Sequence, residues 1–72
     1  MGKLYKMALT FLLLKREEEA ILLVYNPRSN KVVLQWSAYA NGPSLFLHKH
    51  FHDVVSSLMG QGWEIQDKGE YP

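Results

Sequence analysis

The chain has 72 residues, of which 47% are hydrophobic, 21% are charged and none is cysteine. Disulfide bonds and thiolate metal sites are therefore excluded, and the composition is not that of a disordered segment. The formal net charge is only +1, whereas a dedicated nucleic-acid binder usually carries a clearer basic excess.

This length predicts a single domain spanning residues 1–72. A chain this short buries only about 60% of the surface that its unfolded form exposes, so a partner or a metal is a common source of additional stability. The apolar run of residues 7–14 is too short to span a membrane and is followed by charged residues, so we interpret it as part of a strand. The lack of cysteine is compatible with a cytoplasmic location, which we predict.

The first predicted strand runs from Leu4 to Lys15 and carries large apolar side chains at the odd positions from Tyr5 to Leu13. Because alternate residues of a strand point to opposite faces, we expect the odd positions to face the core. The even positions are polar near the start of the strand and apolar near its end, where Leu12 and Leu14 lie.

Two further strands follow, each after a turn. A charged turn at 16–19 precedes a strand over 20–25 that is apolar on both faces, which is typical of a strand covered on two sides. The turn residues of 26–30 predict a hairpin with a short loop. The third strand begins at Lys31 and extends at least to Trp36, with Val32, Leu34 and Trp36 expected on one face.

Helical periodicity begins after an Asn-Gly-Pro-Ser break at 41–44. Residues 45–51 fit either a strand or the start of a helix, and a helix is predicted from about His50 to Gln61. Residues 63–66 predict a short last strand, with Trp63 and Ile65 inward, and 67–72 a mostly polar tail. The sequence therefore predicts an α+β fold of order β-β-β-α-β, an antiparallel sheet with one helix packed on one face.

One helix of about three turns covers one side of such a sheet and leaves an apolar side uncovered. We expect a second copy of the chain, or another protein, to cover that side. The side chains predicted to make this contact are Leu12, Leu14, Leu23, Tyr25 and Trp36. The alternative is that the sheet curls and segment 41–49 covers the side itself.

Three closely spaced histidines, His48, His50 and His52, are the most concentrated chemical signal in the chain. On a strand all three imidazoles share one side, and on a helix His48 and His52 lie one turn apart. They are therefore candidate ligands of a divalent metal ion, with Asp53 or Glu64 completing the set. The alternative is an exposed, weakly basic entry to the helix.

A second candidate site combines basic and aromatic residues around the second hairpin, as in modules that bind RNA or single-stranded DNA. Its candidate residues are Arg28, Lys31, Tyr39 and Lys49. The spacing of aromatic residues typical of RNA-recognition strands is missing. We therefore rank this function below a protein–protein contact.

The segment Val54–Ile65, VVSSLMGQGWEI, resembles the end of a widespread family of short uncharacterised bacterial proteins. In that family an amphipathic helix ends in glycine, and Gly-Trp-Glu leads into a hydrophobic strand. The resemblance implies a sheet packed against a helix and implies no biochemical activity.

The sequence shows no nucleophile elbow, phosphate-binding loop or dinucleotide fingerprint. We therefore predict a non-enzymatic interaction or regulatory module without a cofactor. It acts as a homodimer or as a subunit bound to another protein. Binding of RNA or single-stranded DNA is the first alternative, and binding of a metal by histidine is the second.

Overall fold

The computed structural model describes residues 8–38 and 46–71. Four strands and one helix follow one another along the chain as β1 (Leu9–Arg16), β2 (Glu19–Asn26), β3 (Lys31–Ala38), α1 (Phe51–Gly60) and β4 (Glu64–Tyr71). The strands form one antiparallel sheet in the order β3-β2-β1-β4. The predicted α+β fold and its element order are confirmed. Residues 4–7 of the predicted first strand lie outside the described residues.

Both hairpin turns use residues whose backbone adopts the left-handed conformation. Glu17 has φ 55° in the turn between β1 and β2, and Asn30 has φ 59° at the end of the turn between β2 and β3. In the second turn the Asn26 side-chain oxygen accepts a hydrogen bond from the Arg28 backbone N–H at 2.8 Å. This is the local turn chemistry that asparagine favours.

A bulge in β3 changes which residues share a face. Val24 lies opposite Leu34, whereas the next residue, Tyr25, lies opposite Val32, so Val33 is an extra residue in β3. Val32 is fully buried under α1, whereas Leu34 and Trp36 are exposed. The prediction that Val32, Leu34 and Trp36 share a face was therefore wrong, because the bulge reverses the alternation after Val32.

Residues 46–50 form neither of the two structures considered for this segment. They make a turn, in which His48 has φ 66°, that pairs with the outer edge of β3. The His48 N–H donates to the Val32 carbonyl at 2.8 Å, and the Val32 N–H donates to the Lys49 carbonyl at 3.0 Å. The Phe51 N–H then donates to the Asn30 carbonyl, so the start of α1 is fixed against the second hairpin.

The core lies between α1 and one face of the sheet. The sheet contributes Leu12, Leu14, Ile21, Leu23 and Val32, and the helix and the residue after its turn contribute Phe51, Val54, Leu58 and Trp63. Tyr25, Phe46, Leu47 and Val55 are partly buried against this cluster. Residues 46 and 47 therefore extend the layer that α1 forms and pack on the same side of the sheet.

Helix α1 ends in a turn that directs the chain back to the sheet. Gly62 has φ 96°, a conformation that L side chains rarely adopt. The Trp63 N–H donates to the Leu58 carbonyl, and the Trp63 ring is buried below the Arg16 guanidinium, 4.7 Å from the ring centre. The predicted inward position of Trp63 is confirmed.

The last strand is longer than predicted, because residues 67–71 pair with β1 and do not form a polar tail. The polar side chains of this edge strand are exposed, so its composition looked like that of a tail. Ile65 was predicted to point inward, but 44% of its surface is exposed. A bulge near Asp67 and the position of β4 at the sheet edge leave Ile65 at the margin of the core.

Candidate functional site

The second face of the sheet carries two rows of apolar side chains that run across its strands. The register places Trp36, Leu22 and Leu13 side by side in one row, and Leu34, Val24 and Phe11 in the next. On β4 these rows end at Asp67 and Gly69. β1 and β2 carry apolar residues on both of their faces. Helix α1 packs on one of these faces, so the second face remains apolar. We call the six apolar residues of these rows the open face.

Side-chain exposure decreases from the outer strand of the open face toward its middle. Trp36 is 54% exposed and Leu34 is 41% exposed, whereas Phe11, Leu13 and Leu22 are half-buried. Val24 is fully buried although it does not belong to the cluster under α1, and Phe11 and Leu34 flank it on the neighbouring strands. Within residues 8–38 and 46–71, the helix and the 46–50 turn both lie on the other side.

Four of the five residues predicted to make a protein contact lie on the face that α1 covers. Leu12, Leu14 and Leu23 are buried under α1, with exposures of 4%, 0% and 0%, and the Tyr25 ring stacks on Phe51. Only Trp36 of the five predicted contact residues lies on the open face. The odd positions of β1, predicted to face the core, lie on the open face instead. Both faces of β1 and β2 are apolar, so alternation within these strands could not show which face the helix covers.

The sequence analysis therefore missed Phe11, Leu13, Leu22 and Leu34 as surface residues. The contact that distinguishes the two faces is made by Arg16. Arg16 shares a face with Leu12 and Leu14, and its guanidinium contacts Trp63 and the Gln61 carbonyl. Lys15 is a long cation on the opposite face of β1, so the position of a cation in the sequence did not show which face α1 covers.

The two edges of the sheet are less suited to contact than the open face. Residues 48–50 already pair with the first part of the β3 edge. The β4 edge carries exposed charged side chains at Glu64, Asp67, Lys68 and Glu70. Antiparallel self-pairing of this edge about Asp67 or Lys68 sets like charges opposite each other, whereas pairing about Gly69 sets Lys68 opposite Glu70. Charge therefore disfavours some registers of a second β4 and not others.

The three histidines do not form a metal site. Among the residues that the structure describes, no group of three His, Cys, Asp or Glu side chains is arranged to hold a metal ion. All three imidazoles are exposed, and the ring centres of His50 and His52 are 6.0 Å apart. The local reason is the 46–50 turn, because neither a strand nor a helix runs through His48, His50 and His52 to align them.

The candidate nucleic-acid residues that the structure describes do come together. Arg28 lies in the turn before β3, Lys31 begins β3, and Lys49 lies in the segment paired with Lys31–Val32. All three side chains are exposed. Tyr39, the fourth candidate, lies outside the described residues.

Comparisons with family models, with curated proteins and with solved structures find no match to this chain. The resemblance of Val54–Ile65 to a bacterial family therefore stays a prediction. In the described part of the chain, the helix is too short to cross a bilayer.

Proposed function

We propose that the protein is a non-enzymatic interaction module that forms a homodimer through the open face. The observation that carries this proposal is the pair of apolar rows on a sheet face that no described segment covers. Contiguous apolar surface of this kind on a soluble chain is typical of a protein contact. Burying each large apolar side chain contributes about 1.5–3 kcal/mol, which matters in a domain with so small a core.

The size of the sheet face agrees with a second copy as the occupant. Four strands of eight residues span about 19 by 26 Å, or about 500 Å². The apolar rows occupy only three of these strands, and Val24 is already fully buried. Two open faces in contact therefore bury less than about 1,000 Å² in total, which is the size of a weak, transient interface. We therefore expect a dissociation constant in the micromolar range, because association also costs translational and rotational entropy.

The rim of this face is compatible with self-association. Lys15 and Glu64 lie opposite each other beside the Trp36 row, and Asp67 ends that row. Both signs of charge therefore border the apolar centre, as a two-fold interface requires, since the same patch must complement itself. The net charge of +1 gives little repulsion between two copies.

Sedimentation equilibrium with two matched variants tests the homodimer. Trp36→Glu places a charge on the most exposed side chain of the open face, whereas Met59→Glu makes the same kind of change on α1, where Met59 is 50% exposed. We expect the wild type and Met59→Glu to reach twice the 8.3 kDa chain mass at about 100 µM. Trp36→Glu is expected to weaken association more than about tenfold.

Two results would contradict the homodimer. The first is a wild-type mass that stays at 8.3 kDa over the whole concentration range. The second is a dimer that Trp36→Glu does not weaken, because such a dimer uses another surface. Circular dichroism of both variants checks that each is folded.

A further inference from the structure

The charged residues of the chain are divided unequally between its parts. Residues 20–63 contain the three cations Arg28, Lys31 and Lys49, all three histidines and a single carboxylate, that of Asp53. The other six carboxylates lie at 17–19 and in β4. The 17–19 group is at the far end of β2, about 26 Å from the second hairpin turn. The small net charge therefore hides a locally basic region.

The fold concentrates this basic region at one corner of the molecule. Lys31 and His50 form a β-bridge, so their Cα atoms lie about 4.5–5.5 Å apart. Arg28 lies three residues before Lys31, in a turn whose Asn30 carbonyl accepts the Phe51 N–H. We call the six exposed basic and imidazole residues gathered here the basic corner: Arg28, Lys31, His48, Lys49, His50 and His52.

We propose that the basic corner binds single-stranded nucleic acid through its phosphates. The fixed cations supply the attraction to phosphate, and the exposed imidazoles of His50 and His52 offer rings on which bases stack. The His50 and His52 ring planes are inclined by 34°, so each presents its own surface. This site is separate from the open face and does not depend on the homodimer.

A groove beside α1 extends the basic corner and contains its one opposing charge. Lys49, His50 and Asp53 line it together with Phe46, Val54 and Ser57. Asp53 is exposed in the first turn of α1 and faces the same groove as Lys49 and His50. Removing this carboxylate should therefore strengthen binding of an anionic strand.

A single strand fits these features better than a membrane surface. Binding to a bilayer of weak surface charge needs an apolar side chain to insert beside the cations. Among the described residues, the two most exposed large apolar side chains, Trp36 and Met59, are five residues along β3 from Lys31 and eight along α1 from Phe51. These separations are about 17 Å and about 12 Å. Val33, which is 43% exposed, lies closer to Lys31, but its side chain is short for insertion.

Fluorescence anisotropy of a labelled oligo(dT) of about 15 nucleotides tests this proposal. At about pH 8 we expect oligo(dT) to bind. The logarithm of the binding constant should fall linearly with the logarithm of the salt concentration, with a slope of about −2, as for three phosphate contacts.

Charge-removing variants separate a local site from a general charge effect. Lys31→Gln with Lys49→Gln should weaken binding at least about fivefold and reduce the slope by about 1.4. Lys49→Gln alone should reduce the slope by about 0.7, whereas Lys68→Gln removes the same charge from β4 and should leave binding within about twofold. Asp53→Asn should tighten binding.

The proposal is overturned by equal losses in Lys49→Gln and Lys68→Gln, or by no binding of oligo(dT) to the wild-type protein. It is also overturned if vesicles containing phosphatidylserine bind the protein and oligo(dT) does not. Retained binding in Trp36→Glu separates this site from the proposed homodimer.

Discussion

The ring of Tyr25 in β2 stacks on the ring of Phe51, the first residue of α1, with the ring centres 3.5 Å apart and the planes inclined by 15°. Tyr25 therefore lies on the face of the sheet that the helix covers. Leu23 and Ile21 lie two and four residues before Tyr25, so their side chains point to the same face of β2. This one contact therefore assigns both residues to the core. Leu22 and Val24 then belong to the open face.

The assignment of faces predicts a large difference between two leucines. Leu23→Ala removes a side chain that is 0% exposed under α1, whereas Leu34→Ala removes one that is 41% exposed on the open face. We expect Leu23→Ala to lower the free energy of unfolding by about 2–5 kcal/mol, a large part of the total for a small domain. Leu34→Ala should cost clearly less. Urea denaturation at equal protein concentrations measures both, and equal costs would contradict the assignment.

Two glycines near the end of α1 should respond to alanine in opposite directions. Gly62 has φ 96°, so Gly62→Ala should lower the free energy of unfolding by about 1–2 kcal/mol. Gly60 is the last residue of α1, and an added Cβ meets no atom within 4 Å there. Gly60→Ala should therefore raise stability by about 0.4–1 kcal/mol through the unfolded state. Thermal denaturation gives both signs, and stabilisation by Gly62→Ala contradicts the described turn.

Arg16 should not be replaceable by lysine. Its Nη2 and Nε donate to the Glu19 carboxylate at 2.8 and 3.0 Å, its Nη1 donates to the Gln61 carbonyl at 3.0 Å, and its guanidinium lies over Trp63. The Arg16–Glu19 pair is partly exposed and contributes little by itself. The planar contacts with Gln61 and Trp63 are the ones that lysine cannot reproduce.

We therefore expect Arg16→Lys to lower the free energy of unfolding by about 1–2 kcal/mol. The loss should persist at about 1 M salt, because it does not depend mainly on the exposed ion pair. Arg28→Lys, in an exposed turn, is the matched control and should change stability by less than about 0.5 kcal/mol. Urea denaturation at low and high salt measures these values. A loss that vanishes at high salt would assign the effect to Glu19 alone.

The order of elements could be predicted from the sequence because each transition has a local cause. Asn26 and Asn30 supply turn chemistry, the spacing of Phe51, Val54 and Leu58 is helical, and Gly62 permits the turn into β4. The predicted helix, about 50–61, differs from Phe51–Gly60 by one residue at each end. Such local signals do not depend on how the sheet packs.

The face of the sheet that contacts α1 could not be predicted in the same way. In β1 and β2 both faces are apolar, so hydrophobic alternation does not distinguish them. The bulge at Val33 adds a residue that the pattern of β3 does not indicate, and it moves Leu34 and Trp36 away from Val32. The number of elements indicated that α1 covers one face of the sheet, whereas the residues of each face depended on long-range packing.

The basic corner shows the same limit at a charged site. Arg28 and Lys31 are close in sequence, but Lys49 joins them only because residues 48–50 pair with the β3 edge. The histidines were considered as metal ligands because regular structure would align them. The left-handed conformation of His48 prevents this, and nothing in the local sequence predicted that conformation.

Accessibility of Trp36 as a function of protein concentration tests the proposed dimer most directly. The chain has two tryptophans, so Trp63→Phe leaves Trp36 as the only one. We expect acrylamide quenching of Trp36 to fall between about 1 and 100 µM protein, as a second copy covers the open face. Adding Leu34→Glu to this variant should keep Trp36 fully quenched throughout. Equal quenching of the two proteins at every concentration would contradict a homodimer formed through the open face.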